Sequence, residues 1–427
     1  MAENSNPADL PILIIGGGCN GLILAHALHI KGIRSIVFER DETLVPRRVY
    51  WGIALHWATV LLKSMVGPEK WKDVDRTMVD PYLKPAPVEY FSVLNGKTGE
   101  LLAEKPAENL CRVLRSRLRS YAADGLPDLR FNKKLERISY AEDGKSVTAH
   151  FADGTSETGR LLIGADGSQS KVRRELVGVE RAAVKRLPFV ATFITASFPA
   201  DYAVALRKIG GNALISLWPH PDNLLGALTL MDGIDKDHPE NWRYTFYVAW
   251  QASLEEQAAE IASGMTIRDR LRQAKEKSKA FVDPIRKCFE LLPDDHKEVY
   301  WVGLSNWDPS LPEHQWDNHG GLVTLIGDAA HPMTYHRGQG LSHGLADVHN
   351  LVKLLSNPEG RSQAEIINEY ENEMRPRAGE EVRLSEMNTI MLHDGSKASE
   401  SPMVKIGVSY GSGKTEQPHS AVAVKSN

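Results

Sequence analysis

The first forty residues alternate short apolar runs with glycine-rich turns. Residues 11–15 form an apolar run that ends at a triplet of glycines, and residues 21–28 then carry apolar side chains at helical spacing. A second apolar run, residues 34–38, ends at the acidic Glu39. This pattern predicts a strand, a tight turn, a helix and a second strand, which together form a βαβ unit of a parallel sheet covered by helices.

The pattern changes further along the chain. Residues 80–105 and 187–250 contain short apolar and aromatic runs punctuated by proline and glycine, which favour antiparallel strands. Residues 161–163 and 321–326 return to buried strands that precede glycine, and a helical pattern follows from 340 to 391 with a polar break near 357–360. We therefore expect an α/β protein with a Rossmann-like parallel sheet, an inserted β-rich domain and a helical carboxyl-terminal region.

These patterns also predict domain boundaries. The domain that contains the parallel sheet is expected to be discontinuous, with the β-rich domain inserted into it and a polar tail after the last helices. The predicted segments are 1–80, 106–183 and 300–355 for the parallel-sheet domain, 81–105 and 184–299 for the β-rich domain, 356–395 for the helical region and 396–427 for the tail.

Composition and charge narrow the class of protein. The 427 residues are 42% hydrophobic and carry a formal net charge of -4 without a run of basic residues, so we expect no nucleic-acid partner. Residues 1–10 do not resemble a secretory leader, and no apolar stretch approaches the roughly 18 residues of a spanning helix. We expect a cytoplasmic protein with no membrane span, and the sequence leaves its oligomeric state open.

The three cysteines are far apart and form no CxxC pair, which is typical of free thiols in a reducing compartment. His331, His336 and His343 lie close together in the sequence, but their spacing across Pro332 and the glycines matches no metal site. We therefore predict no bound metal.

The first glycine turn has the spacing of a phosphate-binding fingerprint. Gly16, Gly18 and Gly21 form a G-x-G-x-x-G motif between a strand and a helix, and Glu39 follows 18 residues after the last glycine. The glycines allow the backbone to approach a pyrophosphate, the helix amino terminus supplies N–H groups, and Glu39 is expected to accept hydrogen bonds from a ribose diol. The motif alone leaves NAD and FAD open.

Two further motifs decide between them by family resemblance. Gly164-Ala-Asp166-Gly167, continuing to Arg173, and Gly327-Asp328, continuing through Gly338-Gln-Gly340-Leu341, occur after predicted strands. With the first motif they resemble the three fingerprints of flavoprotein monooxygenases of the p-hydroxybenzoate hydroxylase and salicylate hydroxylase type, most strongly the fungal members. The resemblance implies FAD as cofactor, with Asp328 near the ribityl chain, Gly340 and Leu341 at the flavin, and Asp166 near the FAD, where a turn-forming role is the alternative.

The same resemblance suggests two more FAD contacts. Arg115 matches the arginine of an R-x-x-L helix, although Arg112, one helical turn earlier, competes for that role. Gly52, 13 residues after Glu39, is the best match to the small residue that follows the second strand.

The substrate region is harder to assign. Aromatic and apolar side chains alternate along one predicted strand, so its first face either walls a pocket over the flavin or packs onto a core; this face carries Tyr244, Phe246, Val248 and Trp250. Tyr247, on the other face, is a candidate catalytic residue. Arg186 is a second candidate, because relatives place basic groups near this position to steer a phenolate or carboxylate; a solvated Lys185-Arg186 pair is the alternative.

The resemblance implies an enzyme that uses FAD, NAD(P)H as a transient reductant and O₂ to hydroxylate or epoxidise a small aromatic or electron-rich substrate in fungal secondary metabolism. A flavin-dependent dehydrogenase or oxidase without oxygen insertion remains an alternative. A flavin-dependent halogenase is disfavoured, because the sequence contains no W-x-W-x-x-P motif.

Overall fold

The computed structural model describes residues 9–44, 51–84 and 86–408. Its strands, numbered in chain order, are β1 (Ile12–Ile15), β2 (Ser35–Phe38), β3 (Gly52–Leu55), β4 (Val88–Leu94), β5 (Leu101–Glu108), β6 (Cys111–Leu114), β7 (Leu129–Arg130), β8 (Leu135–Tyr140), β9 (Val147–Phe151), β10 (Ser156–Gly159), β11 (Leu161–Gly164), β12 (Lys185–Ala196), β13 (Ile215–His220), β14 (Leu224–Asp232), β15 (Arg243–Gln251), β16 (Val299–Asn306) and β17 (Val323–Leu325).

The helices vary in length, and the longest lies near the carboxyl end. They are α1 (Cys19–Ile30), α2 (Thr59–Trp71), α3 (Arg115–Ala123), α4 (Lys171–Val177), α5 (Ala200–Ile209), α6 (Leu254–Ala262), α7 (Ile267–Ser278), α8 (Ile285–Glu290), α9 (Gly340–Ser356), α10 (Gln363–Leu392) and α11 (Pro402–Ile406).

A parallel sheet forms the first layer, with strand order β17-β11-β1-β2-β7. Every residue of β1 is buried, and helices α1 and α9 pack together against this sheet. The predicted βαβ unit and the two later parallel strands are therefore confirmed. Since parallel strands end at the same edge, the turns after β1, β11 and β17 meet there.

A larger, mostly antiparallel sheet has the order β16-β12-β15-β14-β13-β4-β5. It unites the two regions in which antiparallel strands were predicted, because β13 pairs with β4 in parallel. One face packs onto helices α5, α7 and α8, and we call it the helix-covered face. The opposite face carries Phe193 and Tyr247, and we call it the aromatic face. Two small sheets, β10-β9-β8 and β3-β6, complete the described strands.

The carboxyl-terminal region is helical, as predicted, and α9 and α10 are separated by residues 357–362. Residues 396–408 differ from the expected polar tail. They contain α11, whose Met403 and Val404 are buried in the same cluster as the aromatic face. The apolar stretch is too short to show periodicity in the sequence, which is why composition alone suggested a tail. Residues 409–427 of the predicted tail lie outside the described residues.

Within the described ranges, every helix is too short or too polar to cross a membrane.

Candidate active site

The glycine fingerprint forms the turn between β1 and α1. Gly16 has φ +113°, a conformation that favours glycine, and a Cβ on Gly21 would overlap the Gly16 carbonyl oxygen. A Cβ on Gly18 would meet only one atom, the Ala165 oxygen at 3.9 Å. Gly16 and Gly21 therefore allow the tight turn, whereas Gly18 leaves space at the amino terminus of α1.

Glu39 lies beneath this turn and is 6% exposed. Its Oε2 accepts hydrogen bonds from the Gly17 amide and from the Arg119 guanidinium, both at 2.9 Å, and its Oε1 accepts one from the Asp41 amide at 2.9 Å. These bonds hold the turn and leave a lone pair of Oε1 that could accept from a ribose hydroxyl, so the expected ribose contact of Glu39 stays a prediction.

Sequence reasoning missed Arg119, which is 5% exposed and also donates to the Gly17 carbonyl. It is the third arginine in Arg115-Ser-Arg117-Leu-Arg119, a run that resembles a solvated helix face. The available signal was its spacing of four residues from Arg115, which places both on one side of α3.

Asp166 caps helix α4. Its Oδ1 accepts a hydrogen bond from Ser170 at 2.5 Å and its Oδ2 one from the Lys171 amide at 2.6 Å. Burial raises the pKa of Asp166, and these hydrogen bonds oppose the rise. These contacts are those expected for the turn-forming alternative. Asp166 therefore contributes to the site mainly by ordering the backbone after β11.

Arg173 joins the second motif to the third, and sequence reasoning did not single it out. Its side chain is buried and donates to the carbonyls of Ser168 at 2.5 Å and Ala329 at 2.8 Å, while its guanidinium lies 4.9 Å from the Trp307 ring centroid. It thereby fixes the loop after β11 against the loop after β17.

Asp328 and Arg115 are both exposed and their charges interact, and we call the open surface beside these two residues the cleft. Asp328 is exposed there, and a Cβ on Gly340, the first residue of α9, would lie 3.7 Å from its Oδ1. Although Asp328 is open to the cleft, the protein packed around it desolvates the carboxylate and raises its pKa, and the charges of His331, Arg115 and Arg173 oppose this rise. Leu341 is partly buried at the start of α9.

Arg112 occupies a different environment from Arg115. It is 6% exposed and donates to Thr229 Oγ1 at 2.5 Å on the aromatic face, and burial lowers its pKa to about 10. A Cβ on Gly52 would lie 2.9 Å from the Arg112 guanidinium and 2.7 Å from Met231 Sδ. Gly52 is therefore needed for close packing, and the exposed Arg115 is the arginine that faces the cleft.

A buried ion-pair network, formed by side chains of α9 and α10, anchors the loop of the third motif. Asp347 Oδ2 accepts from the Gly327 amide at 2.7 Å and contacts His331 Nε2 at 2.6 Å, while Asp347 Oδ1 pairs with Arg377 at 2.7 Å. Burial would raise the pKa of Asp347, but the neighbouring His331 and Arg377 charges lower it overall. The network fixes the loop that carries Asp328.

Four aromatic rings gather where the loop after β17 crosses the aromatic face. Tyr335 lies 5.2 Å from Phe193, 5.8 Å from Tyr247 and 6.2 Å from Trp51, measured between ring centroids. We call these four side chains the aromatic cluster. Tyr247, a predicted site residue, is thus brought close to the loop that leads to Gly340.

The other alternating side chains of β15 lie on the helix-covered face, where they belong to its core. The packing alternative was therefore correct for Tyr244, Phe246, Val248 and Trp250.

The structure does not bring Arg186 to the site. A register shift between Arg186 and Val190 in β12 turns the strand, and Arg186 is exposed beside Gly303 and Gln257, away from the aromatic cluster. This placement gives no support to a catalytic role for Arg186 and agrees with the alternative of a solvated cation.

The arrangement fits FAD. Helices α1 and α9 both point their amino termini toward the cleft, and among the described residues no side chain caps either end. Such ends attract phosphate and other negative charge. Gly18 and Gly340 provide open approach for the pyrophosphate and the flavin, Arg115 supplies a cation and Asp328 an acceptor for ribityl hydroxyls. In the described ranges no group of three or more His, Cys, Asp or Glu side chains is arranged to hold a metal ion.

Comparison with known proteins agrees with this geometry. The family model described as FAD binding domain matches residues 9–285 and 313–385. The FAD-dependent monooxygenase phnB of Penicillium herquei is 33% identical over 401 residues, covering 93% of this chain and 94% of that protein. The FAD-dependent monooxygenase cctM of Talaromyces islandicus is 30% identical over 401 residues, covering 93% and 96%.

Solved structures share the fold at lower identity. The 2,6-dihydroxypyridine-3-hydroxylase of Arthrobacter nicotinovorans has a TM-score of 0.72 at 18% identity, covering 91% of this chain and 94% of that one. Klebsiella pneumoniae HpxO, complexed with FAD and uric acid, has a TM-score of 0.70 at 20% identity, covering 95% and 98%.

The fold and the cleft define a flavoprotein of the Rossmann-like type. The chain belongs to the FAD-dependent monooxygenase family built on the FAD binding domain. It is an oxidoreductase whose cofactor is FAD.

Proposed function

We propose that this protein uses NAD(P)H and O₂ to hydroxylate or epoxidise a small aromatic or electron-rich substrate in fungal secondary metabolism. The observation that carries this proposal is the aromatic cluster beside the loop that leads into α9. Aromatic walls next to the flavin suit a planar substrate, because offset and edge-to-face ring contacts add to the burial of apolar area. The names of the fungal relatives support the same class of reaction.

When bound, FAD supplies the redox chemistry that accepts electrons from a nicotinamide and activates oxygen. The protein's own part is to bind, orient and exclude water. Arg115 and the amino termini of α1 and α9 would hold the cofactor's negative charge, and Asp328 its ribityl hydroxyls. Phe193 and Tyr247 are each 5% exposed, so the substrate would lie against surfaces that admit little water.

The proposal is tested on purified, FAD-loaded protein mixed with phenols, aromatic polyketides and indoles in the presence of NADH or NADPH. We expect a responsive substrate to stimulate nicotinamide oxidation and to yield a product heavier by one oxygen atom. A product that has only lost hydrogen would contradict the proposal and favour the dehydrogenase or oxidase alternative.

Two substitutions on one strand make the assay specific for the aromatic face. Tyr247→Leu removes a ring of the aromatic cluster, so it should weaken the response to substrate and raise the apparent KM. Phe246→Leu is the matched control, because Phe246 projects into the core of the helix-covered face. Equal effects of the two changes on KM at equal flavin content would argue against substrate binding at this face.

A further inference from the structure

A straight row of side chains crosses the aromatic face from the aromatic cluster to β5. The strand registers align one residue from each of six neighbouring strands, and all of them belong to one hydrophobic cluster or pack against it. In strand order the row is Phe193, Tyr247, Ala227, Leu217, Val93 and Ala103. Two rings are followed at once by the smallest side chain, so the surface of the sheet steps down at Ala227, directly beside Tyr247.

Helix α11 lies at the other end of this row. It packs against β5, where a Cβ on Gly407 would lie 3.1 Å from the Cβ of Lys105. Met403 and Val404 of α11 are 4% and 8% exposed, and they belong to the cluster that contains the row. Adjacent strands lie about 4.8 Å apart, so about 14 Å separate β15 from β4. The stretch of sheet between Tyr247 and α11 is therefore longer than a single benzene ring.

Two buried amide side chains fix the position of α11. Asn388 Oδ1 accepts a hydrogen bond from the Met403 amide at 2.8 Å, and Gln339 Nε2 donates one to the Val408 carbonyl at 2.9 Å. Asn388 and Gln339 are each 0% exposed. Gln339 directly precedes Gly340, the first residue of α9, so the end of α11 is attached to the turn that we expect at the flavin. Helix α11 therefore lies beside both the aromatic face and the cofactor site.

The middle of the row is covered in this structure. Ala227 is 1% exposed, so a substrate reaches it only when a covering side chain moves. Met403 is suited to that movement, because methionine is unbranched, has three rotatable bonds and packs well against aromatic rings. It also lies on a helix of only five residues. Tyr247 is held more firmly, since it belongs to a central strand and its ring centroid lies 4.7 Å from that of Phe193.

We propose that Ala227 is the floor and Met403 the end wall of the substrate groove, and that these two residues determine how long a ring system the protein accepts. The groove takes a planar, apolar system of two fused rings that lies along the row. One ring meets the aromatic cluster beside Tyr247, and the other lies over Ala227 with its far edge against Met403. This inference rests on the proposed function, because it places the substrate on the aromatic face, and it adds the length of the substrate.

Both residues select through volume. Methyl groups added to Ala227 would fill the step in the sheet, and a densely packed interior does not yield to make room for a ring. A shorter side chain at position 403 would leave the end of the groove open. One methylene group more or less in an apolar pocket changes relative binding by about tenfold or more.

The test measures binding of phenol, 2-naphthol and 6-bromo-2-naphthol to the oxidised, FAD-loaded protein by the change in flavin absorbance. The three probes share the hydroxyl group and differ in length. We expect Ala227→Val to lower the preference for 2-naphthol over phenol by about tenfold, because the new methyl groups occupy the floor. Met403→Ala should raise the preference for 6-bromo-2-naphthol over 2-naphthol by about tenfold, because it opens the end of the groove.

Each variant has a matched control away from the groove. Ala274→Val adds the same methyl groups in the core of the helix-covered face, and Met387→Ala shortens a methionine of α10 that is 44% exposed. Both controls should keep the wild-type ratios. If Ala227→Val does not fold, Met403→Ala decides alone. Wild-type ratios in the groove variants, equal shifts in their controls, or wild-type protein that binds none of the probes would overturn the proposal.

The assay requires no turnover, so the two proposals fail separately. Shifts of both ratios in a protein that inserts no oxygen would retain this inference and lose the proposed function. Oxygen insertion with unchanged ratios in Ala227→Val and Met403→Ala would have the opposite meaning.

Discussion

Glu39 and Arg119 form a buried ion pair directly beneath the glycine turn, with side chains 8% and 6% exposed. Breaking such a pair by removing one partner leaves an uncompensated buried charge. The sequence predicted the importance of Glu39 from its distance to the glycines, but it did not predict Arg119. An arginine within a run of arginines has the same appearance on a solvated helix as in a buried pair, and only the tertiary contact distinguishes them.

Glu39→Gln should therefore destabilise the protein by about 3–5 kcal/mol, because the amide leaves Arg119 buried without an anion. Urea unfolding of the FAD-free protein measures this loss, with Glu69→Gln as the control because its pair with Lys72 is exposed. A Glu39→Gln protein as stable as the control would show that the pair does not support the turn.

At the scale of secondary-structure elements, Gly18 and Gly21 at the start of α1 have different roles. Gly21 faces the Gly16 carbonyl inside the protein, whereas Gly18 faces the cleft. Local periodicity predicted β1, α1, β11, β17, α9 and α10, because each is encoded by neighbouring residues. The face of β15 that meets the site was not predictable, since alternation defines two faces without saying which one the helices cover. The register shift in β12 that moves Arg186 away likewise depends on β16.

The two glycines give a paired prediction. Gly21→Ala should destabilise the FAD-free protein, by about 1–3 kcal/mol if the turn relaxes, because the new methyl group overlaps backbone. Gly18→Ala should keep that stability and lose affinity for FAD, since the methyl group enters the space left for the pyrophosphate. Thermal unfolding without FAD and flavin titration provide the two measurements, and a loss of stability without a loss of affinity in Gly18→Ala would contradict the assigned position.

At the scale of the whole molecule, buried histidines lie at the contacts between the two large sheets and the carboxyl-terminal helices. Burial lowers the pKa of His56 to about 3 and that of His393 to about 4, and it lowers those of His336 and His343 well below 6.5. The sequence motifs correctly identified the three fingerprints. They did not predict this cluster of neutral histidines, because it arises from packing between residues that are far apart along the chain.

These histidines predict loss of stability in acid. In the unfolded chain these histidines take up protons below about pH 6.5, whereas in the folded chain they stay neutral until a lower pH. Each histidine therefore lowers the free energy of unfolding by about 1.4 kcal/mol for every pH unit below that value. Urea unfolding between about pH 7 and pH 5 should show this slope. His393→Gln should make the slope shallower, because it removes one of these buried neutral histidines. A stability independent of pH in this window would contradict the burial of neutral histidines.

We propose that this flavoprotein inserts an oxygen atom from O₂ into an aromatic substrate. Mass spectrometry of the product formed under ¹⁸O₂, with a substrate found in the panel assay, measures this insertion. We expect one ¹⁸O atom per product molecule, with the same yield whether or not chloride is present. A product without the label, formed while oxygen is consumed, would show that the protein oxidises its substrate by removing hydrogen and that the assignment of oxygen insertion is wrong.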